Sequence, residues 1–264
     1  MKLGFIGCGN MASAIMGGVL DSGLVKPEDV MGSAKTEETL TRIRSEFGIL
    51  TDLSNRKVAL FSDILVLAVK PKVLEEVIGE IRDAVADDTI VVTLAAGKTI
   101  GWIEKKFEKP VKIVRTMPNT PAMVGEGMTA MCCNDRVTED EFGLVEEIFE
   151  SCGMTERIPE DLMDAATSLG GSSPAYVFMF IEALADAAVL QGMPRESAYR
   201  MAGQTVLGSA RMMLESGWHP GELKDMVCSP GGTTIEGVRV LEECGFRSAV
   251  IEALSACGDK AKQL

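Results

Sequence analysis

The rhythm of hydrophobic and polar positions changes near residue 159. Before it, short runs rich in β-branched and other apolar residues alternate with segments of helical spacing. The runs 2–6, 30–33, 64–69, 89–94, 111–116, 128–132 and 154–158 read as strands, each followed by polar turn residues or a helical pattern. Strands alternating with helices predict an α/β class, a doubly wound sheet with right-handed crossovers. Beyond Pro159 the segments 161–191, 195–216 and 235–262 carry apolar residues at helical spacing, with no strand pattern. The chain therefore divides into a sheet domain over 1–159 and an all-helical domain over 160–264. One stretch of the latter, "AYVFMFIEALADAAVL" at 175–190, is apolar nearly all round. A domain of about 105 residues can hardly cover such a helix by itself, so a homodimer through the C-terminal helices is expected.

Composition narrows the function classes. At 264 residues and 46% hydrophobic the chain can bury a full core. It opens Met1-Lys2-Leu3 directly into a strand pattern and has no run of about 18 uncharged apolar residues, so a cytoplasmic protein without a membrane span is expected. A net charge of −13, with 26 basic residues spread along the chain, argues against a nucleic-acid partner, which needs clustered Lys and Arg. Seven cysteines form an odd count without a C-x-x-C pair, which suggests reduced thiols rather than disulfides or a metal site. Sixteen methionines read as flexible core filling.

Candidate chemistry begins at the N-terminus. Gly7-Cys8-Gly9-Asn10-Met11-Ala12 is a G-x-G-x-x-A turn between a strand and a helix. Gly7 permits the tight turn, Gly9 lets backbone approach a pyrophosphate, and Ala12 lets the helix pack close to the strand. The helix start at Asn10 and Met11 offers N–H groups and positive dipole to the phosphates. At the end of the second strand an NAD enzyme would place a carboxylate against the ribose 2′-OH, whereas this chain reads Ser33-Ala34-Lys35-Thr36 before Glu37. Donors and a cation favour the 2′-phosphate of NADPH, with NADH also usable. Three more strand ends belong to the same edge. They are Ala68-Val69-Lys70-Pro71, then Ala95-Ala96-Gly97, whose small residues suit a nicotinamide ring, and a proline-stiffened loop around Asn119.

Taken together, these segments resemble the pyrroline-5-carboxylate reductase family. The resemblance is carried by "GFIGCGNMASAI" at 4–15, Asn55, "AVKP" at 68–71, "AAG" at 95–97, "RTMPNTPAMVGEG" at 115–127, "GSSPAYVF" at 171–178 and "HPGELKDMVCSPGGTTIEGV" at 219–238. It implies a Rossmann-like N-terminal domain, a helical C-terminal dimerisation domain whose helices interleave between subunits, and beyond the dimer a ring of dimers. It implies, too, reduction of the cyclic imine (S)-1-pyrroline-5-carboxylate to L-proline by NADPH or NADH, with Asn55 among the cofactor residues. One departure is Ser173, where the family usually has glycine in G-S-G-P-A-Y.

The family reading gives the loop "SPGGTT" at 229–234 its use. Hydride transfer to a C=N carbon needs an aligned donor, a held carboxylate and a polarised nitrogen. A Gly-Gly turn opening a helix presents consecutive N–H groups to a carboxylate. The resemblance implies that Ser229, Gly231, Gly232, Thr233 and Thr234, with Asn119, bind the substrate, and that the Thr234 hydroxyl lies near the ring nitrogen. The sole histidine, His219, precedes Pro220 and reads as a turn before a helix. A β-hydroxyacid dehydrogenase would need a lysine on the first long helix of the second domain, and 161–191 contains none. A dinucleotide sensor without catalysis would have no need of an intact SPGGTT loop.

Overall fold

The computed structural model describes residues 1–261. Strands and helices alternate through the first half: β1 (Leu3–Ile6), α1 (Asn10–Asp21), β2 (Val30–Ser33), α2 (Glu37–Phe47), β3 (Leu50–Asp52), α3 (Asn55–Phe61), β4 (Ile64–Leu67) and α4 (Leu74–Ile81). They continue with β5 (Ile90–Thr93), α5 (Ile100–Phe107), β6 (Lys112–Met117), β7 (Gly127–Cys133), α6 (Glu139–Glu150) and β8 (Gly153–Arg157). The eight strands form one sheet in the order β3-β2-β1-β4-β5-β6-β7-β8.

Neighbours pair parallel except β6 and β7, which run antiparallel. The reason is the length of the link: residues 118–126 hold only a 3-10 turn, too short for the helical crossover that a parallel neighbour requires. Alternation within the strands shows why their sequences are continuously apolar. Leu3, Phe5, Val66 and Val92 face a core with Ile15 and Val19 of α1 and Phe149 of α6. Ile6, Leu65, Leu67 and Val91 face the other, with Ile78 of α4 and Ile103 of α5. Both faces of the sheet are covered, so both sets of alternating side chains must be apolar. Strand β3 was not expected from the pattern; it is a three-residue edge strand, Leu-Thr-Asp, with too few residues to show a period.

The helical half comprises α7 (Met163–Ala166), α8 (Ser173–Leu190), α9 (Arg195–Ser216), α10 (Pro220–Val227), α11 (Thr233–Glu243) and α12 (Phe246–Ala261). Two expected helices are subdivided. The segment 161–191 begins with a 3-10 turn and α7, passes through a π-helical turn at Thr167–Ser172, and only then becomes α8. The segment 235–262 is two helices, because Gly245 at φ 75° takes the left-handed conformation between α11 and α12. Its expected last residue, Lys262, lies outside the described residues.

By compactness the chain forms two units, residues 1–172 with 257–261, and Ser173–Ala256. The second unit has little core of its own: Ala185, Ala198 and Ala202 are buried, with Ile181 and Val189 packed against them. Phe178, Met179 and Leu190 of α8 are 64%, 67% and 89% exposed, so a single copy leaves the apolar surface of this helix in water. By length and composition the helical run 160–190 would also pass for a membrane span. Glu182 and Asp186 interrupt it, and Asp186 pairs with Arg195.

Candidate active site

The sheet order reverses direction beside β1, with β2 on one flank and β4 on the other. In open α/β sheets the ligand crevice lies beyond the carboxyl ends of the strands at this switch point. Gly7, at the end of β1, has φ 95° and donates its N–H to Ser33 O at 3.0 Å. A Cβ here would meet Ala68 O at 2.7 Å and Val69 Cγ1 at 3.0 Å, so the ends of β1 and β4 touch across a hydrogen atom. Gly9 differs: nothing lies within 4 Å of where its Cβ would stand. It is the N-cap of α1, with no side chain capping the helix. The N–H groups at Asn10 and Met11 therefore open onto space, which is the cradle a pyrophosphate needs.

Several cofactor candidates meet on this edge. The Ser33 hydroxyl is fully buried and donates to Asn55 Oδ1 at 2.8 Å, while Asn55 Nδ2 donates to Glu80 at 2.6 Å. Ser33 thus orients Asn55 rather than presenting its own hydroxyl outward. Lys35 is exposed in the turn after β2, just ahead of Thr36, whose hydroxyl caps α2. Lys70 is exposed where Pro71 opens a 3-10 turn after β4. Ala96 and Gly97 follow β5, with Gly97 at φ 72°. Burial pushes the Cys8 thiol up to about 11, with Arg42 nearby pulling the other way, so the cysteine in the glycine turn is a neutral packing residue at physiological pH.

Asn119 is spoken for within its own unit. Its Oδ1 accepts the Met128 N–H at 2.9 Å, and its Nδ2 donates to Gly170 O at 3.1 Å. A Cβ on Gly171 would sit 2.8 Å from Met117 Cε. The strand-end loop after β6 and the π-helical turn thereby brace each other. Arg115, in β6 and 4% exposed, adds a second fastening through Glu160 Oε1 at 3.0 Å, which also accepts the Ile100 N–H. The sequence reading missed these braces because their partners lie 45 to 60 residues apart and a π turn has no simple sequence period.

The SPGGTT loop belongs to the second unit. Gly231 has φ 66°, and Gly232 donates its N–H to Ser229 O at 3.0 Å, closing a tight turn. Gly232 caps α11 without a side-chain bond, so the 11-residue helix starts at Thr233 rather than at residue 235, and Thr233 and Thr234 occupy its first turn. That first turn holds uncapped N–H groups beside the half-buried Thr234. His219 caps α10 instead of standing free: its Nδ1 accepts the Gly221 N–H at 3.0 Å.

The first unit is that of a dinucleotide-dependent oxidoreductase, and the second opens α11 with a glycine turn whose first N–H groups have no side-chain cap. Family comparison makes this specific. Residues 160–264 match the model described as pyrroline-5-carboxylate reductase dimerisation, and residues 2–97 that of NADP oxidoreductase, coenzyme F420-dependent. The chain is 50% identical over 263 residues to the pyrroline-5-carboxylate reductase of Escherichia coli K12, covering 100% of this chain and 98% of that one. The reductase structure from Coxiella burnetii superposes with a TM-score of 0.94 at 38% identity, covering 99% and 97% of the two chains. The Plasmodium falciparum reductase, determined with NADP bound, gives 0.88 at 36% identity and covers 100% and 97%. The chain belongs to the pyrroline-5-carboxylate reductase family. Dimerisation through its C-terminal helices accounts for the apolar surface of α8.

Proposed function

We propose that the protein catalyses NAD(P)H-dependent reduction of (S)-1-pyrroline-5-carboxylate to L-proline, the last step of proline biosynthesis. The observation that carries this reading is the glycine turn at 231–232, which opens α11 with uncapped N–H groups, in a chain whose other unit is built around a dinucleotide crevice. When bound, the cofactor supplies the hydride. The chain's own residues do the rest: Gly7 and Gly9 keep the crevice open, while Asn10 and Met11 present N–H groups to the pyrophosphate. Asn55, Lys70 and the backbone from Ala68 to Pro71 line the ribose side, and Ala96 with Gly97 leaves room for the nicotinamide. Ser229, Gly231, Gly232 and Thr233 hold the substrate carboxylate, each charge-assisted bond stabilising by roughly 1.5–3 kcal/mol when dry. Asn119 is assigned to substrate binding as well, and its bonds to Met128 and Gly170 fix the loop after β6.

Thr234 is assigned as hydrogen-bond partner of the ring nitrogen. A threonine hydroxyl has no pKa suited to donating a proton unaided at neutral pH, so the proton comes from solvent or from an already protonated imine. Lys35 at the end of β2 favours NADPH over NADH. Residues 1–159 are assigned to the dinucleotide and 160–264 to substrate binding and dimerisation, with dimers assembling further into a ring. Seven free thiols, of which Cys8, Cys132 and Cys152 are buried, suit the reducing cytoplasm.

The test is NADPH absorbance with purified protein and pyrroline-5-carboxylate, run beside NADH and beside 3-hydroxy acids in the oxidative direction. Substrate-dependent loss of NADPH is expected. Reduction of NADP by a hydroxy acid, with no turnover of the imine, would overturn the assignment.

A further inference from the structure

Arg42 takes no part in the assignment above, yet the fold brings it to the dinucleotide crevice. It lies in the second turn of α2, whose first residue is Glu37. Side chains on a helix tilt toward its N-terminus, so a long one at this position reaches back toward the strand ends. The guanidinium does so: Nη2 donates to Cys8 O at 3.3 Å, a carbonyl inside the Gly7-Cys8-Gly9 turn and 34 residues away in sequence. Cys8 Sγ in turn donates to Ser33 O at 3.3 Å, at the end of β2. The guanidinium therefore stands where the glycine turn meets the end of β2. This is the place where a carboxylate meets the ribose 2′-OH in NAD enzymes and where a nearby arginine accommodates a 2′-phosphate.

The group is also reachable and has donors to offer. The Arg42 side chain is 51% exposed. Nη1 donates to Glu46 Oε2 at 2.9 Å, and a guanidinium carries more N–H groups than these two bonds use. Its planar fork suits phosphate better than the single ammonium of Lys35. Glu46 works against an incoming anion, since it sits one turn away and neutralises part of the charge.

We propose that Arg42 is a specificity-determining residue for the cofactor, holding the adenosine 2′-phosphate from the α2 side, with its bond to Cys8 O aiming the guanidinium at the end of β2. The inference rests on the NADPH preference assigned above. Binding of 2′,5′-ADP and of 5′-AMP by titration calorimetry separates the two, since these differ only in the 2′-phosphate and no turnover is involved. Wild-type protein that bound both equally would remove the 2′-phosphate preference itself, and the role of Arg42 with it. Given that preference, Arg42→Ala is expected to weaken 2′,5′-ADP about tenfold and leave 5′-AMP nearly unchanged. Glu46→Gln releases the guanidinium and is expected to tighten 2′,5′-ADP about twofold, a gain that damaged folding cannot imitate. Equal weakening of both nucleotides in Arg42→Ala would mean that the residue only props the glycine turn and would overturn the proposal. So would 2′,5′-ADP affinity untouched by either change.

Discussion

The two glycines of the cofactor turn should fail in opposite ways when each is replaced by alanine. At Gly7 an added methyl must adopt φ 95° and meet Ala68 O at 2.7 Å, a backbone atom that cannot rotate away. The left-handed conformation costs an L-residue roughly 1–2 kcal/mol, and overpacking adds roughly 1–3 kcal/mol, so Gly7→Ala should destabilise by about 3 kcal/mol. For a chain of this size that lowers Tm by roughly 6–12 °C. At Gly9 the backbone has φ −84° and ψ −174°, open to any residue, and nothing lies within 4 Å. Gly9→Ala should therefore cost less than about 1 kcal/mol, the difference between glycine and alanine at an N-cap. Its methyl instead fills the space through which a pyrophosphate reaches the N–H groups of α1. Loss of one such charge-assisted bond, roughly 1.5–3 kcal/mol, weakens NADPH by about tenfold to a hundredfold. Calorimetric melting without nucleotide, paired with NADPH titration, reads both quantities. Gly9→Ala with wild-type NADPH affinity would show that the open space above Gly9 is not the pyrophosphate cradle.

Thr234→Ala should lower kcat while the dissociation constant for NADPH stays nearly constant; stopped-flow turnover beside cofactor titration checks this, and equal kcat would remove the role. For Glu141, burial pushes the carboxyl up, but the Lys112 ammonium and the Thr138 N–H outweigh it and hold it below its ordinary 4.5. A depressed carboxyl stabilises the fold above its unfolded pKa and loses that contribution as pH falls through the folded one. Glu141→Gln should accordingly cost about 1 kcal/mol at neutral pH, with the difference closing below about pH 4 in urea unfolding curves. The Cys133 thiol is itself raised by partial desolvation and by Glu139, but it is exposed, so alkylation should modify it before buried Cys8, Cys132 and Cys152, whose thiols burial raises to about 11; mass mapping of the modified sites reads the order.

Much of the first unit was legible because burial on both faces of a sheet writes itself as unbroken apolar runs such as Ile64–Leu67 and Ile90–Thr93. Leu50–Asp52 escaped, since an edge strand of three residues needs no such run. Subdivision of the last helical segment at Gly245 was written in the sequence as a glycine, but a glycine inside an apolar helical pattern does not by itself tell a break from a tolerated residue. The GxGxxA and SPGGTT turns were readable as turns because glycine marks backbone that must take unusual φ, as Gly7 and Gly231 do. The hydrogen bonds of Asn119, by contrast, were not readable: its partners Met128 and Gly170 lie 9 and 51 residues away and meet it only after folding.

By itself, then, the sequence determined the periodicities, the two glycine turns and the oversupply of apolar surface on 175–190, because each is local and is written within a single strand, turn or helix. Tertiary structure alone decided the antiparallel turn of β7 against β6, the brace between residues 117–119 and 170–171, and the placing of the Arg42 guanidinium on the Cys8 carbonyl. These depend on which strand ends lie side by side, and loop closure over tens of residues is set by the packing of the whole sheet rather than by any short stretch of chain.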